Sequence, residues 1–110
     1  MKVAVIGSRS IMSYPLEEII PADTTEIISG GARGVDSLAR EYAQQHDIPL
    51  TEIRPAYARY GKGAPLRRNR EIIARAELVI ALWDGKSSGT AQVIAECRKH
   101  GKPVIVKDIT

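Results

Sequence analysis

Apolar residues alternate along this chain between short continuous runs and stripes at helical spacing. Five short runs predict β-strands, at residues 3–6, 26–29, 50–53, 78–82 and 104–106. The first, fourth and fifth runs are continuously apolar, which is typical of parallel strands covered by helices on both faces. The third run alternates between apolar and polar residues, so we expect that strand at an edge of the sheet.

Four stripes at helical spacing separate these runs and predict helices over residues 14–20, 35–46, 65–76 and 90–100. The last helix is expected to stop at Gly101, because glycine commonly ends helices. The intervening residues 55–64 predict a mobile loop. The positions expected to face inward on the third helix are Leu66, Ile72, Ile73 and Ala76.

This alternation of strands and helices predicts an α/β fold with a doubly wound parallel sheet of five strands and right-handed crossovers. We expect the strand order 3-2-1-4-5, with helices on both faces, since that order buries the first strand and leaves the third at an edge. The length of 110 residues fits one domain spanning residues 1–110.

Positive charge is concentrated in one segment of the chain. The whole protein carries a net charge of +3, but residues 54–75 contain seven Lys and Arg residues against Glu71 alone. That segment therefore has a net charge of +6, and the rest of the chain sums to −3. The distribution favours an anionic partner bound at one place, and the alternative is a solvated helix and loop without a ligand.

Several classes of site and of protein are disfavoured by the composition. The single cysteine, Cys97, allows no internal disulfide and no thiolate metal cage, and its helical stripe predicts a core thiol. His46 and His100 end helices without metal-ligand neighbours, so we expect neither a metal nor a cofactor.

No apolar run approaches the about 20 residues needed to span a bilayer, and the N-terminal run predicts a strand rather than a signal peptide. We expect a cytoplasmic protein without membrane contact.

The candidate chemistry lies in three turns that follow predicted strands, at residues 7–10, 30–34 and 83–90. Each contains glycine together with hydroxyl or arginine side chains. Ligands of open α/β sheets bind beyond the carboxyl ends of the strands, where the strand order reverses. With the expected order, the three turns converge on one crevice.

Two of these turns lead into helices and are suited to phosphate. Paired glycines at Gly30 and Gly31 would leave amides exposed at a helix N-terminus, and Arg33 adds a planar charged group. Ser87 and Thr90 offer hydroxyls beside a second helix start. Neither turn has the spacing of a Walker loop or of a dinucleotide fingerprint, and the alternative for each is ordinary helix capping. The predicted ligand-binding residues are Gly7, Ser8, Arg9, Gly30, Gly31, Ala32, Arg33, Asp36, Arg68, Asn69, Trp83, Asp84, Gly85, Ser87, Ser88, Gly89 and Thr90.

Individual side chains leave alternatives open. Arg33 either binds phosphate or pairs with Asp36, and Asp36 either binds a ribose hydroxyl or stabilises the helix dipole. Trp83 either stacks on a base or packs at the rim of the sheet. Asp84 either binds ribose or forms a turn, and Arg68, like its neighbour in sequence, either contacts ligand or lies on the surface.

At these positions the chain resembles a known family. Gly-Gly-Ala-Arg-Gly-Val-Asp at 30–36, Arg-Asn at 68–69 and Trp-Asp-Gly-Lys-Ser-Ser-Gly-Thr at 83–90 are similar to the SLOG superfamily. That group takes its name from the Smf DNA-processing proteins and the Lonely-guy phosphoribohydrolases. The likeness is greatest to the small stand-alone YspA-like branch, found in bacteria and phages, and it covers essentially the whole chain.

The resemblance implies a Rossmann-like fold and a pocket for nucleotides or nucleotide-derived ligands such as ADP-ribose. Some relatives cleave a base–ribose bond, some sense signalling nucleotides, and the Smf branch binds single-stranded DNA. Lonely-guy enzymes need a glutamate three residues after the threonine of their second motif, and Val93 stands there in this chain. The motif residues that carry over are Gly30, Gly31, Arg33, Asp36, Gly85, Ser87, Gly89 and Thr90.

We therefore expect a binding domain, a sensor or a sequestering protein, for a phosphorylated nucleotide-derived ligand, with no catalytic residue assigned. One alternative is an N-glycosidic hydrolase that uses Asp36, Asp84 or Glu71. Another is a binder of single-stranded nucleic acid through residues 54–75, whose loop tyrosines could stack on bases. A homo-oligomer is also expected, because the apolar run at 104–106 would lie at a sheet edge.

Overall fold

The computed structural model describes residues 1–109. It contains one five-stranded sheet. Its strands are β1 (Lys2–Gly7), β2 (Glu26–Ser29), β3 (Leu50–Glu52), β4 (Leu78–Trp83) and β5 (Val104–Asp108). All neighbouring strands are parallel, in the order β3-β2-β1-β4-β5. The predicted doubly wound α/β fold and the predicted strand order are confirmed.

The central strand, β1, is apolar on both faces because helices cover both sides of the sheet. Val3 and Val5 of β1 point into one core layer, and Ala4 and Ile6 point into the other. The first layer lies under α1 (Val35–Gln45), and the second lies under α3 (Ala64–Arg75) and α4 (Ser88–Lys99). Adjacent residues therefore serve different cores, as the two-residue period of a strand requires.

The connections differ from the sequence-based expectation in two places. The first predicted helix is only a single 3₁₀ turn, Leu16–Glu18. The predicted loop at 55–64 contains a short helix, α2 (Tyr57–Tyr60), followed directly by a 3₁₀ turn, Gly61–Gly63. No residue of either turn in this segment is buried, so no hydrophobic period marked them in the sequence.

One core position was predicted wrongly. Leu66 is 37% exposed, whereas Ile72, Ile73 and Ala76 are buried as expected. Leu66 lies in the first turn of α3, which begins at Ala64, and the buried residues of this helix are Ala64, Ile72 and Ile73. In the first turn of α3, the residue that faces the core is therefore Ala64 and not Leu66, as the sequence had predicted.

The two sheet edges are β3 and β5. β3 is three residues long and half-buried throughout, and its predicted edge position is confirmed. β5 has five residues, of which Ile105 is 37% exposed. The free edge on which the predicted self-association depends is therefore present, and the association itself stays a prediction.

Cys97 packs in the second core layer with no exposed surface. Burial raises the pKa of its thiol above the ordinary value. The predicted core role of this residue is confirmed, since a buried thiol with a raised pKa carries little thiolate. Within residues 1–109, no helix combines the length and the apolar character required to cross a membrane.

Candidate functional site

A cavity of about 460 Å³ opens at the carboxyl end of the sheet, where the strand order reverses between β1 and β4. The segments that follow β1, β2 and β4 all contribute to its wall, and the start of α3 closes one side. The predicted convergence of the three glycine-containing turns is therefore present. The predicted site residues that line the cavity are Gly7, Arg9, Gly30, Ala32, Asp36, Arg68, Asn69, Asp84, Ser87, Gly89 and Thr90.

The turn after β2 is closely packed against α3. Arg68 Nη1 donates a hydrogen bond to the Gly30 carbonyl oxygen at 2.9 Å. A Cβ atom at position 30 would lie 2.6 Å from that same nitrogen and 3.0 Å from Asp36 Oδ2. Glycine is needed here because its own neighbours in the fold occupy the space of a side chain.

Asp36 lies in the first turn of α1 and is buried beside this turn. Its Oδ2 accepts a hydrogen bond from the Ala32 backbone N–H at 3.0 Å. Burial raises the pKa of Asp36, against the opposing effects of that hydrogen bond and of the Arg68 charge. Ser29 also favours the charged form, and its Oγ atom is buried without a hydrogen bond of standard geometry among residues 1–109. Asp36 is thus a buried carboxyl group facing the cavity.

Arg68 is held in place by its neighbours on three sides. Its Nε donates to Asn69 Oδ1 at 2.8 Å, and Asn69 Nδ2 in turn donates to Gln92 Oε1 at 3.1 Å. Burial lowers the pKa of Arg68, while the attraction of Asp36 raises it. An arginine remains charged under either influence. Its second terminal nitrogen, Nη2, makes no hydrogen bond within residues 1–109.

Asp84 organises the loop between β4 and α4. Its Oδ1 accepts the backbone N–H groups of Lys86 and Ser87 at 2.8 Å each, and its Oδ2 accepts the Ser10 hydroxyl at 2.7 Å. These three donors hold the pKa of Asp84 far below its ordinary value. The Ser8 hydroxyl accepts the Asp84 backbone N–H at 3.1 Å. Asp84 therefore ties the loop after β1 to the loop after β4, which favours the turn-forming alternative over ribose binding.

The start of α4 faces the cavity and is open. Ser87 Oγ accepts the Thr90 backbone N–H at 3.3 Å and caps the helix. A Cβ atom at Gly89 would meet nothing within 4 Å. Trp83 is fixed by a hydrogen bond from its Nε1 to the Ser87 carbonyl oxygen at 3.0 Å. This helix start offers positive partial charge to the cavity without a side chain in the way.

Six predicted site residues do not line the cavity. Arg33 is exposed and does not line the cavity, and its role in binding a phosphate stays a prediction. Gly31 has a φ of +73° and packs against Arg54, whose Nη1 donates to the Gly31 carbonyl oxygen at 3.0 Å. Ser8 and Trp83 support the loops by the hydrogen bonds described above. The residues outside the cavity wall are Ser8, Gly31, Arg33, Trp83, Gly85 and Ser88.

Sequence reasoning also missed part of the wall. Ser10 was present in the first turn but was not chosen, and Pro65 and Ile72 lie one turn before and after Arg68 on the same face of α3. Their helical spacing from Arg68 was a usable signal. Ile6 and Val93 complete an apolar part of the wall. Val93 thus faces the cavity.

No family model matches the chain, and no solved structure matches it significantly. Among curated proteins, the chain is 36% identical over 85 residues to the Gene 61 protein of Mycobacterium phage D29, an alignment covering 72% of this chain and 68% of the relative. The chain belongs to the same family as this phage protein. The name of this family member states neither a ligand nor a reaction, so the functional assignment depends on the cavity itself.

Proposed function

We propose that this protein binds a phosphorylated nucleotide or a nucleotide-derived molecule similar to ADP-ribose in the cavity at the carboxyl end of its sheet. Its role would be that of a sensor or a sequestering domain. The observation that carries the proposal is the meeting of three loops and α3 around one cavity at the point where the strand order reverses. The cavity volume of about 460 Å³ falls in the range of small-molecule sites.

The phosphate would lie at the start of α4. Gly89 leaves the helix N-terminus uncovered, and Arg9 and Arg68 supply positive charge to the same cavity. The Ala32 amide is unsuited to this role, because Asp36 already accepts its hydrogen. The turn after β4, rather than the turn after β2, is thus the proposed phosphate site.

The nucleoside part would lie against the apolar part of the cavity wall. Ile6, Ile72 and Val93 provide an apolar surface for a ring, and Asp36 provides a carboxyl group that can accept a ribose hydroxyl. A mixture of apolar wall and few polar groups is typical of small-molecule sites. The resemblance to the SLOG superfamily supports the same class of ligand.

Binding is proposed in preference to N-glycosidic hydrolysis. Val93 faces the cavity where the related enzymes have their glutamate, and an aliphatic side chain can neither donate nor accept a proton. Asp36 is the one buried carboxyl group of the cavity wall; its Oδ2 accepts the Ala32 amide, and its proposed role is to accept a ribose hydroxyl. The arrangement therefore favours holding a nucleotide over cleaving it.

Isothermal titration calorimetry with a panel of nucleoside monophosphates, nucleoside diphosphates and ADP-ribose tests the proposal. Gly89→Asp places a carboxylate in the open space at the start of α4, where an acid stabilises the helix but repels phosphate. We expect an affinity at least about tenfold weaker, because like charges would face each other. Thermal unfolding of this variant should be unchanged or shifted upward, which separates lost binding from lost folding.

Ser88→Asp is the matched control. It adds the same charge one residue earlier, at a position that does not line the cavity wall. Its charge faces solvent rather than the cavity, so the loss of affinity should be much smaller. The proposal is wrong if the wild-type protein binds no member of the panel, or if both variants weaken binding equally.

A further inference from the structure

The first turns of α3 separate two cavities. Pro65, Arg68, Asn69 and Ile72 face the nucleotide cavity described above. The residues just before them, at 64, 67, 68 and 71, line a second cavity of about 330 Å³ beside an adjacent face of the helix. Both sets follow the three- and four-residue spacing of one helix face. Arg68 is the one residue that belongs to both walls.

The second cavity, here named the arginine cavity, is strongly basic. Its charged wall consists of Arg54, Arg67, Arg68 and Arg70, with Glu71 as the one acidic residue. Glu71 is itself paired with Arg75, which lies outside the cavity, at 3.3 Å. The concentration of positive charge noted in residues 54–75 therefore forms a concave surface rather than a uniformly solvated face.

One of the four arginines has no acidic neighbour. Arg54 reaches Glu52 at 3.4 Å, and Arg70 reaches Glu96 at 3.5 Å. Arg68 makes no ion pair within 4.0 Å among residues 1–109, but the Asp36 carboxyl group attracts its charge. Arg67 lies within 4.0 Å of no carboxylate in the same residues, so its charge is available to an anion from outside the chain.

Arg67 is oriented by an aromatic ring. Its guanidinium group lies 4.3 Å from the centre of the Tyr60 ring, which Arg59 also approaches at 5.2 Å. Such stacking restrains the guanidinium plane and leaves its N–H edge free. A planar edge of this kind suits the paired oxygens of a phosphate.

We propose that the arginine cavity is a second phosphate subsite of the same ligand-binding site, joined to the first through Arg68. The inference depends on the proposed nucleotide function and specifies the class of ligand. The ligand would be a nucleotide that carries a second phosphoryl group apart from the first. That group is either a terminal phosphate on the ribose or the phosphodiester that leads to a further nucleotide. Both sources present the same anionic oxygens to Arg67.

Calorimetry with three probes distinguishes these sources. The probes are adenosine 5′-monophosphate, adenosine 3′,5′-bisphosphate and a 5′-phosphorylated adenosine dinucleotide. We expect at least one of the last two to bind the wild-type protein about tenfold more tightly than the monophosphate, as for one added charged hydrogen-bonding group. A gain for the bisphosphate alone indicates a terminal phosphate, and a gain for the dinucleotide alone indicates a phosphodiester.

Arg67→Ala should remove this gain while leaving the affinity for the monophosphate unchanged. Lys62→Ala is the matched control, since it removes one charge from the same basic segment at an exposed residue that lines neither cavity. It should keep the gain. If Lys62→Ala and Arg67→Ala cause equal losses, the effect is one of general charge and the subsite is rejected.

The remaining outcomes separate the two proposals. If the monophosphate binds and neither larger probe binds more tightly, the second subsite is wrong and the proposed function stands. If Arg67→Ala weakens the monophosphate as strongly as the larger probes, Arg67 belongs to the first site and the second subsite is again wrong. If none of the probes and no member of the nucleotide panel binds, the proposed function fails and takes this inference with it.

Discussion

The turn after β2 and the turn after β4 look alike in sequence but differ in what surrounds them. At Gly30, an added Cβ would meet the Arg68 guanidinium group and the Asp36 carboxylate. At Gly89, an added Cβ would meet nothing within 4 Å. The first turn has glycine because the protein fills the space around it, and the second has glycine beside space that remains empty.

The backbone N–H groups do not distinguish the two turns in the same way, because side chains accept some of them in both. Asp36 accepts the Ala32 amide of the first turn. In the second turn, Asp84 and Ser87 accept the amides of Lys86, Ser87 and Thr90. The contrast between the turns is therefore one of space: a phosphate can approach a glycine-rich turn before a helix only where the protein leaves room beside the glycine.

The largest expected effect is on folding, at Gly34. Gly34 has a φ of +73°, and a Cβ there would lie 2.6 Å from backbone atoms of Ser8 and Arg9. Gly34→Ala should lower the free energy of unfolding by about 3 kcal/mol or more, from backbone strain and overpacking together. Gly89→Ala should leave it unchanged or raise it by up to about 0.5 kcal/mol, because alanine favours helix. Urea denaturation of both variants measures the difference, and equal losses would contradict the contrast.

The next effect concerns Asp36 and pH. Because burial raises the pKa of Asp36 in the folded protein above its ordinary value of 3.8, the ionised carboxylate lowers stability. That cost is absent below the unfolded-state pKa, grows as the pH rises from there, and is complete above the folded-state pKa. Relative to the wild type, Asp36→Asn should therefore become more stable as the pH is raised through this window.

Urea denaturation of wild type and Asp36→Asn at a series of pH values on both sides of 3.8 gives the comparison. Other titrating groups are common to both proteins and cancel in the difference. A difference that is constant with pH, or that moves toward the wild type as the pH rises, contradicts the burial argument.

A smaller and local effect is expected in the second turn. Asp84→Ala removes the acceptor for the Lys86 and Ser87 amides and the link to Ser10. Hydrogen–deuterium exchange of these two amides should become faster, with little change in the sheet. Asp23→Ala, which removes an exposed carboxylate elsewhere, serves as the control and should leave the exchange of this loop as in the wild type.

The smallest effect is expected at Arg33. This side chain is exposed and lies outside the cavity wall, so its charge attracts a bound nucleotide only weakly through solvent. Arg33→Ala should therefore keep the affinity for nucleotides within about twofold of wild type. Titration calorimetry on the same nucleotide panel measures this. A loss as large as that of Gly89→Asp would return the phosphate to the first turn and reverse the contrast.

Much of the fold could be predicted because strand and helix periods are local properties of the sequence. The continuous apolar runs of β1 and β4 predict strands buried on both faces, and the alternating run of β3 predicts an edge. The segment at 55–64 could not be predicted, because its short turns bury no residue and leave no period. The exposure of Leu66 depends on where α3 begins, and its start at Ala64 follows an unpatterned 3₁₀ turn.

The site was predictable as a place but not as a set of contacts. The convergence of the loops follows from the strand order and the general position of sites in such sheets. The hydrogen bond from Arg68 to Gly30 joins residues 38 positions apart, and no local pattern in the sequence indicates it. The pairing of Asp36 with the Ala32 amide, which leaves Arg33 outside the cavity, likewise depends on the conformation of the turn.

The enclosed position of Cys97 has a practical consequence for all of these tests. The chain has one cysteine, and no part of it is exposed. A single cysteine introduced at the surface would therefore react alone with a maleimide dye, without prior removal of the native thiol. Fluorescent labelling near either cavity is then possible on an otherwise unaltered sequence.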